Sequence, residues 1–259
     1  MKSVGLFYFV TTKKRFEKNG YYIHTLSELG KQINIREFSP RIAHIKTFPG
    51  EENEAKLAKT YLEKNGFEVI TSVSSVNPHS KENYPQYING YKEDIIKCFR
   101  DPRFHKSDYC LWLEDDSPVY INEKSEITLE DSIEEAVYAL ETKYNLCSVY
   151  YNRGTSLTKD TVPAIKAKEG NLIYHDRDFT FQPNISRVKD LYYAANVLAA
   201  NIGSIGHIHN EMAFTMCMKS LFIQDYSIGC FDPKKLCSLH MAHENFVSVE
   251  GEKEKWRLS

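Results

Sequence analysis

The residues best suited to carry out chemistry lie where an apolar run is followed directly by charged side chains. Residues 109–113 (YCLWL) are apolar, and Glu114, Asp115 and Asp116 follow them directly, before a Ser-Pro pair. An apolar run of this length is typical of a buried strand, and open α/β sheets bind ligands at the carboxyl ends of such strands. Three adjacent carboxylates repel one another, and a hard divalent cation such as Mg2+ or Mn2+ would compensate their charge. A solvated acidic turn after a strand is the alternative that these residues alone leave open.

The composition is that of a globular protein without a global charge signature. The chain has 259 residues, with 33 basic and 35 acidic side chains and a net charge of −2. This balance does not indicate a nucleic-acid binder, although a local basic groove stays possible. No apolar run is long enough to span a membrane, and the N-terminal residues lack the features of a secretory signal. The six cysteines are scattered without a CxxC motif, which favours reduced core residues. We therefore expect a cytoplasmic protein without an integral membrane segment.

Strand-like and helix-like segments alternate in the first half of the chain. This alternation implies right-handed crossovers and a mostly parallel sheet with flanking helices, which is the α/β fold class. The predicted strands are 3–10, 42–48, 67–73 and the apolar run 109–113, and the predicted helices are 51–64 and 84–99.

The second half is predicted to mix helices and strands. Thr128 begins a helix with Asp131 at the spacing of a capping box. Residues 155–170 contain a proline and several lysines, and we interpret them as a long loop, which in a compact domain is often a functional lid. We treat residues 1–259 as a single domain, with a nucleotide-sugar-binding half at 1–120 and an acceptor and catalytic half at 121–259. The other predicted elements are a strand at 146–151, an extended segment at 179–185, a helix at 186–201, a helix from Asn210 and Glu211 onward, and a strand at 236–241.

This order of elements resembles the GT-A glycosyltransferases. In that superfamily an Asp-x-Asp or Glu-Asp-Asp motif at the end of a central strand holds the metal of a nucleotide-sugar diphosphate, and the matching residues here are Glu114, Asp115 and Asp116. The resemblance covers most of the chain as an order of elements, but only these residues as a motif. It implies a GT-A-like, Rossmann-like fold and transfer of a sugar from a nucleotide-sugar donor, UDP-linked by preference, to an acceptor hydroxyl. It also implies that Asp116 binds Mn2+ or Mg2+ and that Asp115 contacts the metal or the ribose.

The resemblance suggests two further roles. GT-A enzymes often supply a late histidine as a second metal ligand, and His240 and His243 follow the last predicted strand. In an extended segment these two residues would point to opposite faces, so we expect one of them, preferably His240, to face the metal. Inverting members place an acid at a helix start as the general base, and Glu211 occupies such a position. The helix dipole alone also favours a first-turn acid, and a retaining enzyme needs no such base.

The resemblance also points to residues that would contact the nucleotide. Thr11 and Thr12 end the first predicted strand, where the family usually contacts the base and ribose. Asp94 and Arg100 flank the helix before the acidic strand, where the family often holds uracil and phosphate. Arg187 would meet the sugar or a phosphate. Each of these side chains is equally compatible with a surface or ion-pair role.

The acceptor and the reaction class stay open at the level of sequence. The acceptors considered are a surface glycan or lipid, a protein, or a modified DNA base, and only the lysine-rich segments 13–15 and 159–168 support the DNA option. A metal-dependent nucleotidyltransferase is a different class that also places acids after a strand, but it would more often show a glycine-rich or basic phosphate loop near the N-terminus. A non-catalytic domain that binds sugars or nucleotides would keep the fold without needing Glu211.

Overall fold

The structure is a computed structural model that combines one large sheet with helices on both faces. It describes residues 2–11, 21–74, 84–121, 125–151, 166–176, 178–205, 208–222, 225–232 and 235–238. The strands are β1 (Val4–Thr11), β2 (Arg41–Thr47), β3 (Glu68–Val73), β4 (Tyr109–Glu114), β5 (Val119–Ile121), β6 (Leu146–Tyr150), β7 (Ala167–Glu169), β8 (Leu172–His175), β9 (Asn184–Arg187), β10 (Ser227–Phe231) and β11 (Leu236–Ser238). The helices are α1 (Tyr21–Gln32), α2 (Glu52–Lys64), α3 (Tyr84–Phe99), α4 (Leu129–Thr142), α5 (Val188–Ile205) and α6 (Asn210–Phe222), with 3-10 turns at Ile35–Glu37 and Phe104–Lys106.

The α/β class is confirmed, but the sheet is mixed and not mostly parallel. Nine of the described strands form it in the order β3-β2-β1-β4-β9-β6-β10-β8-β7. The neighbours β3, β2, β1 and β4 are parallel, as the alternating first half predicts. β9 runs antiparallel to both β4 and β6, and β8 runs antiparallel to both β10 and β7. Strands from both halves of the chain therefore share one sheet.

Both faces of the sheet are covered, which explains the continuous apolar runs in the central strands. In β1, Leu6, Tyr8 and Val10 belong to a core cluster that also includes side chains of α1, α2 and α4. The alternate residues Phe7 and Phe9 belong to a second cluster, which includes side chains of α3, α5 and α6. A strand whose successive side chains are all buried cannot show the alternating pattern of a half-exposed strand.

Several elements lie outside the predictions because their local patterns are weak. α1 contains Gly30, a poor helix former, and its buried residues Leu26 and Leu29 pack against the sheet. β5 and β8 are too short to show a period, and β10 is interrupted by Gly229. The end of the predicted loop 155–170 is the strand β7, which pairs with β8, while residues 152–165 lie outside the described residues.

None of the helices in the described segments is both long and apolar enough to cross a lipid bilayer. The longest described helix, α5, carries Asp190 in its first turn and the exposed pair Tyr192 and Tyr193.

The predicted capping box at the start of α4 is confirmed and gives a stability test. The Asp131 backbone N–H donates to the Thr128 hydroxyl at 3.0 Å, and the Thr128 backbone N–H donates to the Asp131 carboxylate at 2.9 Å. We expect Thr128→Ala to lower the free energy of unfolding by about 1 kcal/mol, because orphan N–H groups of the first turn lose an acceptor. Urea unfolding measures this change. Thr142→Ala is the control, since that hydroxyl donates to the Tyr138 and Ala139 carbonyls of its own helix and caps no N–H group. An equal loss in both variants would contradict the capping role.

Candidate functional site

The candidate site lies where the carboxyl ends of β1 and β4 meet. β2 and β3 lie on one side of β1 and β4 lies on the other, so the strand order reverses between β1 and β4. In open α/β sheets the crevice at such a reversal is the usual ligand site. The register pairs Phe9 with Glu114, so the last two residues of β1, Val10 and Thr11, lie beside Asp115, the first residue after β4.

Asp115 connects three elements at this edge. Its Oδ2 accepts hydrogen bonds from the Thr11 backbone N–H at 3.0 Å and the Thr11 hydroxyl at 3.2 Å. Its backbone N–H donates to the Phe9 carbonyl at 2.9 Å, and its own carbonyl accepts from the Thr25 hydroxyl of α1 at 2.6 Å. Asp115 is only 5% exposed. The structure thus brings Thr11 and Asp115 together, whereas Thr12 lies outside the described residues.

Asp116 is equally buried and begins the turn after β4. The Ser117 hydroxyl donates to Asp116 Oδ1 at 3.1 Å, and the Ser117 backbone N–H donates to the Glu114 carbonyl at 3.2 Å. An ionised carboxylate offers about four lone-pair sites, so these hydrogen bonds are compatible with metal coordination by Asp116. Two carboxylates suffice for Mg2+ or Mn2+ when substrate phosphates and water complete the shell.

The described residues alone do not complete a metal centre. Among them, no group of three or more His, Cys, Asp or Glu side chains is arranged to hold an ion. The predicted ligands His240 and His243 lie outside the described residues. The predicted last strand is confirmed as far as Ser238, which pairs with Val119 in the small β5–β11 sheet, three residues after Asp116.

Glu114 points away from Asp115. It shares a strand face with Trp112, and the Tyr91 hydroxyl of α3 donates to its Oε1 at 2.7 Å. Asp115, by contrast, bonds to Thr11 and α1. The repulsion between the three adjacent carboxylates is therefore reduced by directing Glu114 to a separate hydrogen-bond donor, and a cation is not required to hold Glu114.

Glu211 lies in the first turn of α6 and is half-buried. Its Oε1 accepts hydrogen bonds from the Thr180 hydroxyl at 2.7 Å and from the Phe181 backbone N–H at 3.0 Å. These two donors fix the carboxylate relative to the segment that precedes β9. The ring of Phe181 lies 5.9 Å from the ring of Tyr91, the same residue that binds Glu114.

The antiparallel direction of β9 brings this segment to the acidic edge. Trp112 pairs with Asn184, so the residues before Asn184 extend along the carboxyl end of β4. The Trp112 indole N–H donates to the Phe181 carbonyl at 3.1 Å. Glu211 therefore lies at the same edge of the sheet as the acids. The sequence predicts an extended segment here, but nothing in it indicates that Thr180 and Phe181 donate hydrogen bonds to Glu211.

Asp94 belongs to a buried ion pair next to the site. Its carboxylate accepts a hydrogen bond from the Lys46 ammonium at 2.6 Å and lies 3.6 Å from His44 Nε2. Lys46 pairs in register with Thr11, so the ion pair is one strand away from Thr11 and two strands away from Asp115. The predicted uracil contact of Asp94 would have to coexist with this ion pair. Sequence reasoning missed Lys46, because a lysine near a strand end is usually solvated.

The two predicted arginines lie at the opposite edge of the sheet. Arg100 is exposed and directly follows α3, the helix that returns the chain to the start of β4. Arg187 pairs with Tyr109, the first residue of β4, and this is about 20 Å from the acids at 3.3 Å per residue. The predicted donor contacts of both arginines stay predictions, and this placement does not support them. The Arg187 guanidinium instead donates to the carbonyl oxygens of Leu140, Lys143 and Leu146 and to the carboxylate of Asp190.

Comparison with known proteins adds no family to this description. No model of a known protein family matches the chain, and no curated protein sequence is significantly similar to it. A function for the chain must therefore be inferred from the residues at the ends of β1 and β4 and at the start of α6.

The buried His44 gives a pH-dependent prediction. His44 is 0% exposed, and its ring nitrogens lie 2.8 Å from the Ser72 hydroxyl and 2.9 Å from Cys98 Sγ. Burial lowers the pKa of His44 to about 4, although Asp94 opposes this shift. Since the unfolded chain binds a proton at about pH 6.5 and the folded protein does not, stability is lost as the pH falls. We expect a loss of about 2 kcal/mol from His44 between about pH 7 and about pH 5.

Urea unfolding across this pH range measures the effect. His44→Gln should be less stable at neutral pH but should show a flatter pH dependence. His209→Gln replaces an exposed histidine and serves as the control. A pH dependence of His44→Gln as steep as that of the wild type would show that another group is responsible.

Proposed function

We propose that the chain is a metal-dependent, GT-A-like glycosyltransferase that moves a sugar from a nucleotide-sugar donor, preferably UDP-linked, to an acceptor hydroxyl. The observation that carries the proposal is the link between Thr11 and Asp115, which holds Asp115 and Asp116 at the reversal of strand order. Ligands of α/β sheets bind at this position, and buried paired carboxylates there are suited to a hard divalent cation.

The chemistry of glycosyl transfer fits this arrangement. Cleavage of the bond between the anomeric carbon and the diphosphate builds negative charge on the leaving phosphates. A Mn2+ or Mg2+ ion would neutralise that charge as it develops. Asp116 is the proposed metal ligand, and Asp115 supports it or contacts the ribose, while Thr11 holds Asp115 in place. His240 or His243 is the proposed second protein ligand, and Ser238, where the described part of β11 ends, lies two residues before His240.

Glu211 is the proposed general base for the acceptor hydroxyl. A positioned carboxylate must lie within hydrogen-bond reach of the proton that it removes. The hydrogen bonds from Thr180 and Phe181 fix one carboxylate oxygen of Glu211 at the edge where the acids stand. The acceptor, whether a glycan, a lipid, a protein or a modified DNA base, would enter on the Glu211 side of the donor. In a retaining enzyme Glu211 would keep only its binding role toward Thr180 and Phe181.

A thermal-shift screen of nucleotide sugars, with and without Mn2+, identifies the donor. A ligand that binds only the folded state raises the melting temperature. Donors that bind are then tested for transfer with one acceptor from each class. Release of a nucleoside diphosphate supports glycosyl transfer. Release of pyrophosphate from an added nucleoside triphosphate, with transfer of the nucleoside monophosphate to an acceptor, supports the nucleotidyltransferase alternative. Donor binding without transfer or hydrolysis across the whole panel supports the non-catalytic binding domain.

The first functional prediction concerns Asp116. We expect Asp116→Asn to abolish metal-dependent transfer while leaving the melting curve near that of the wild type, because the change is nearly isosteric but removes one charge from the proposed metal site. Release of the nucleoside diphosphate, measured against Mn2+ concentration, tests this. Asp176→Asn, at an exposed position after β8, is the matched control. Wild-type turnover in a folded Asp116→Asn protein would remove Asp116 from the mechanism.

The second functional prediction concerns Glu211. In Glu211→Gln the side-chain carbonyl can still accept from Thr180 and Phe181, but the amide cannot take a proton. We expect transfer to fall by about 10²–10⁴-fold with nearly unchanged affinity for the donor and metal. Single-turnover transfer at saturating donor, with calorimetric donor affinity, measures both quantities.

The control for this variant is Glu130→Gln, which removes a first-turn acid from α4. A helix-dipole role is worth about 1 kcal/mol of stability or less, and both variants would then lose similar stability without losing transfer. Normal transfer by Glu211→Gln would exclude Glu211 as the base and favour a retaining mechanism or a different base.

A further inference from the structure

Tyr91 on α3 lies between the two halves of the proposed active site. Its hydroxyl donates to Glu114 Oε1 at 2.7 Å, and its ring centroid lies 5.9 Å from that of Phe181. The side chain is 7% exposed, and its ring also packs edge-on against Phe9 at 5.1 Å. A single buried tyrosine thus contacts both the acidic strand end and the segment that binds Glu211.

The hydroxyl of Tyr91 determines where Glu114 points. Glu114 is the last residue of β4 and has Asp115 as its direct neighbour, so the two carboxylates carry adjacent like charges. A hydrogen bond from a neutral hydroxyl to a carboxylate is short and strong, as the distance of 2.7 Å indicates. It holds Glu114 on the α3 face of the sheet, away from the hydrogen bonds between Asp115 and Thr11.

The ring of Tyr91 packs on Phe181, whose backbone is held by two hydrogen bonds. The Phe181 N–H donates to Glu211 at 3.0 Å, and the Phe181 carbonyl accepts from the Trp112 indole at 3.1 Å. Movement of Phe181 would therefore move the carboxylate of Glu211 relative to β4. The contact with Tyr91 restrains the side chain of Phe181 from the α3 side.

We propose that Tyr91 is a positioning residue that sets the placement of Glu211 relative to the acids of β4 and keeps Glu114 out of the metal shell. The inference rests on the proposed function and deepens it. It divides the Glu-Asp-Asp run into two parts. Asp115 and Asp116 contact the metal or the donor, and Glu114 forms the hydrogen bond that connects β4 to α3. A reacting group misplaced by about 1 Å can cost about 10²-fold in rate, so such a connection has a measurable effect.

Two substitutions at Tyr91 separate the hydroxyl from the ring. Tyr91→Phe keeps the packing on Phe181 but removes the hydrogen bond to Glu114, whereas Tyr91→Leu removes both. We expect Tyr91→Phe to change the Mn2+ concentration needed for half-maximal activity by about tenfold, with the wild-type ratio of transfer to donor hydrolysis. We expect Tyr91→Leu also to lower that ratio by about 10²-fold, with the KM for the donor nearly unchanged. Tyr192→Phe, on the surface of α5, is the control.

A second measurement does not depend on activity. In metal-free protein, urea unfolding of Tyr91→Phe, Glu114→Ala and the double variant forms a thermodynamic cycle. Each single variant loses the same hydrogen bond, which the double variant can lose only once. We therefore expect the double variant to be clearly less destabilised than the sum of the single variants. The same cycle with Tyr192→Phe in place of Tyr91→Phe should be additive. Additive losses in the Tyr91 cycle would overturn the role of the hydroxyl.

The outcomes separate this inference from the proposed function. If the wild type transfers sugar and Tyr91→Leu is folded with the wild-type ratio of transfer to hydrolysis, the positioning role is overturned and the glycosyltransferase stands. If Tyr91→Leu does not fold, an unchanged metal response in Tyr91→Phe overturns the inference in the same way. If the wild type neither transfers nor hydrolyses any donor, the proposed function fails and the positioning role fails with it.

Discussion

The hydrogen bonds around Asp115 hold together the part of the structure on which any function at this edge depends. Its carboxylate accepts from the backbone and the hydroxyl of Thr11, its N–H donates to Phe9, and its carbonyl accepts from Thr25. A buried carboxylate without such donors would be costly, so these bonds offset the free energy of removing the charge from water. They also fix the ends of β1 and β4 and the start of α1 relative to one another, and Asp116 takes its position from them.

Successive acidic side chains at the end of β4 point to opposite faces of the sheet. Glu114 faces α3 and meets the hydroxyl of Tyr91, while Asp115 meets Thr11 and α1. On β2, the strand next to β1, the ammonium of Lys46 is paired with Asp94 in the interior. Truncating one partner of such a buried pair leaves an uncompensated charge. Substitutions that break this ion pair beside Thr11 would therefore lower the free energy of unfolding strongly. Glu114, Asp115 and Lys46 are thus each held by a hydrogen-bond partner at this edge of the sheet.

The second half of the chain contributes to the site through a reversal of strand direction. β9 lies between β4 and β6 and is antiparallel to both, so its preceding segment reaches the carboxyl ends of the parallel strands. That segment carries Thr180 and Phe181, which bind Glu211 at the start of α6. A purely parallel sheet would have placed the start of this strand at the other edge. The mixed topology therefore brings Glu211 and Asp115 to the same edge of the sheet.

The sequence by itself determined the features that depend on neighbouring residues. The run 109–113 is buried on both faces, Thr128 and Asp131 form a capping box, and the acids emerge at the end of a central strand. Each is a local pattern of burial or capping that needs no knowledge of distant partners. The tertiary structure alone decided the direction of β9, which puts Arg187 at the edge opposite the acids although its neighbours in the chain approach them. It also decided that Asp94 pairs with Lys46 and that Glu114 meets Tyr91, because such partners are selected by packing between elements far apart in the chain.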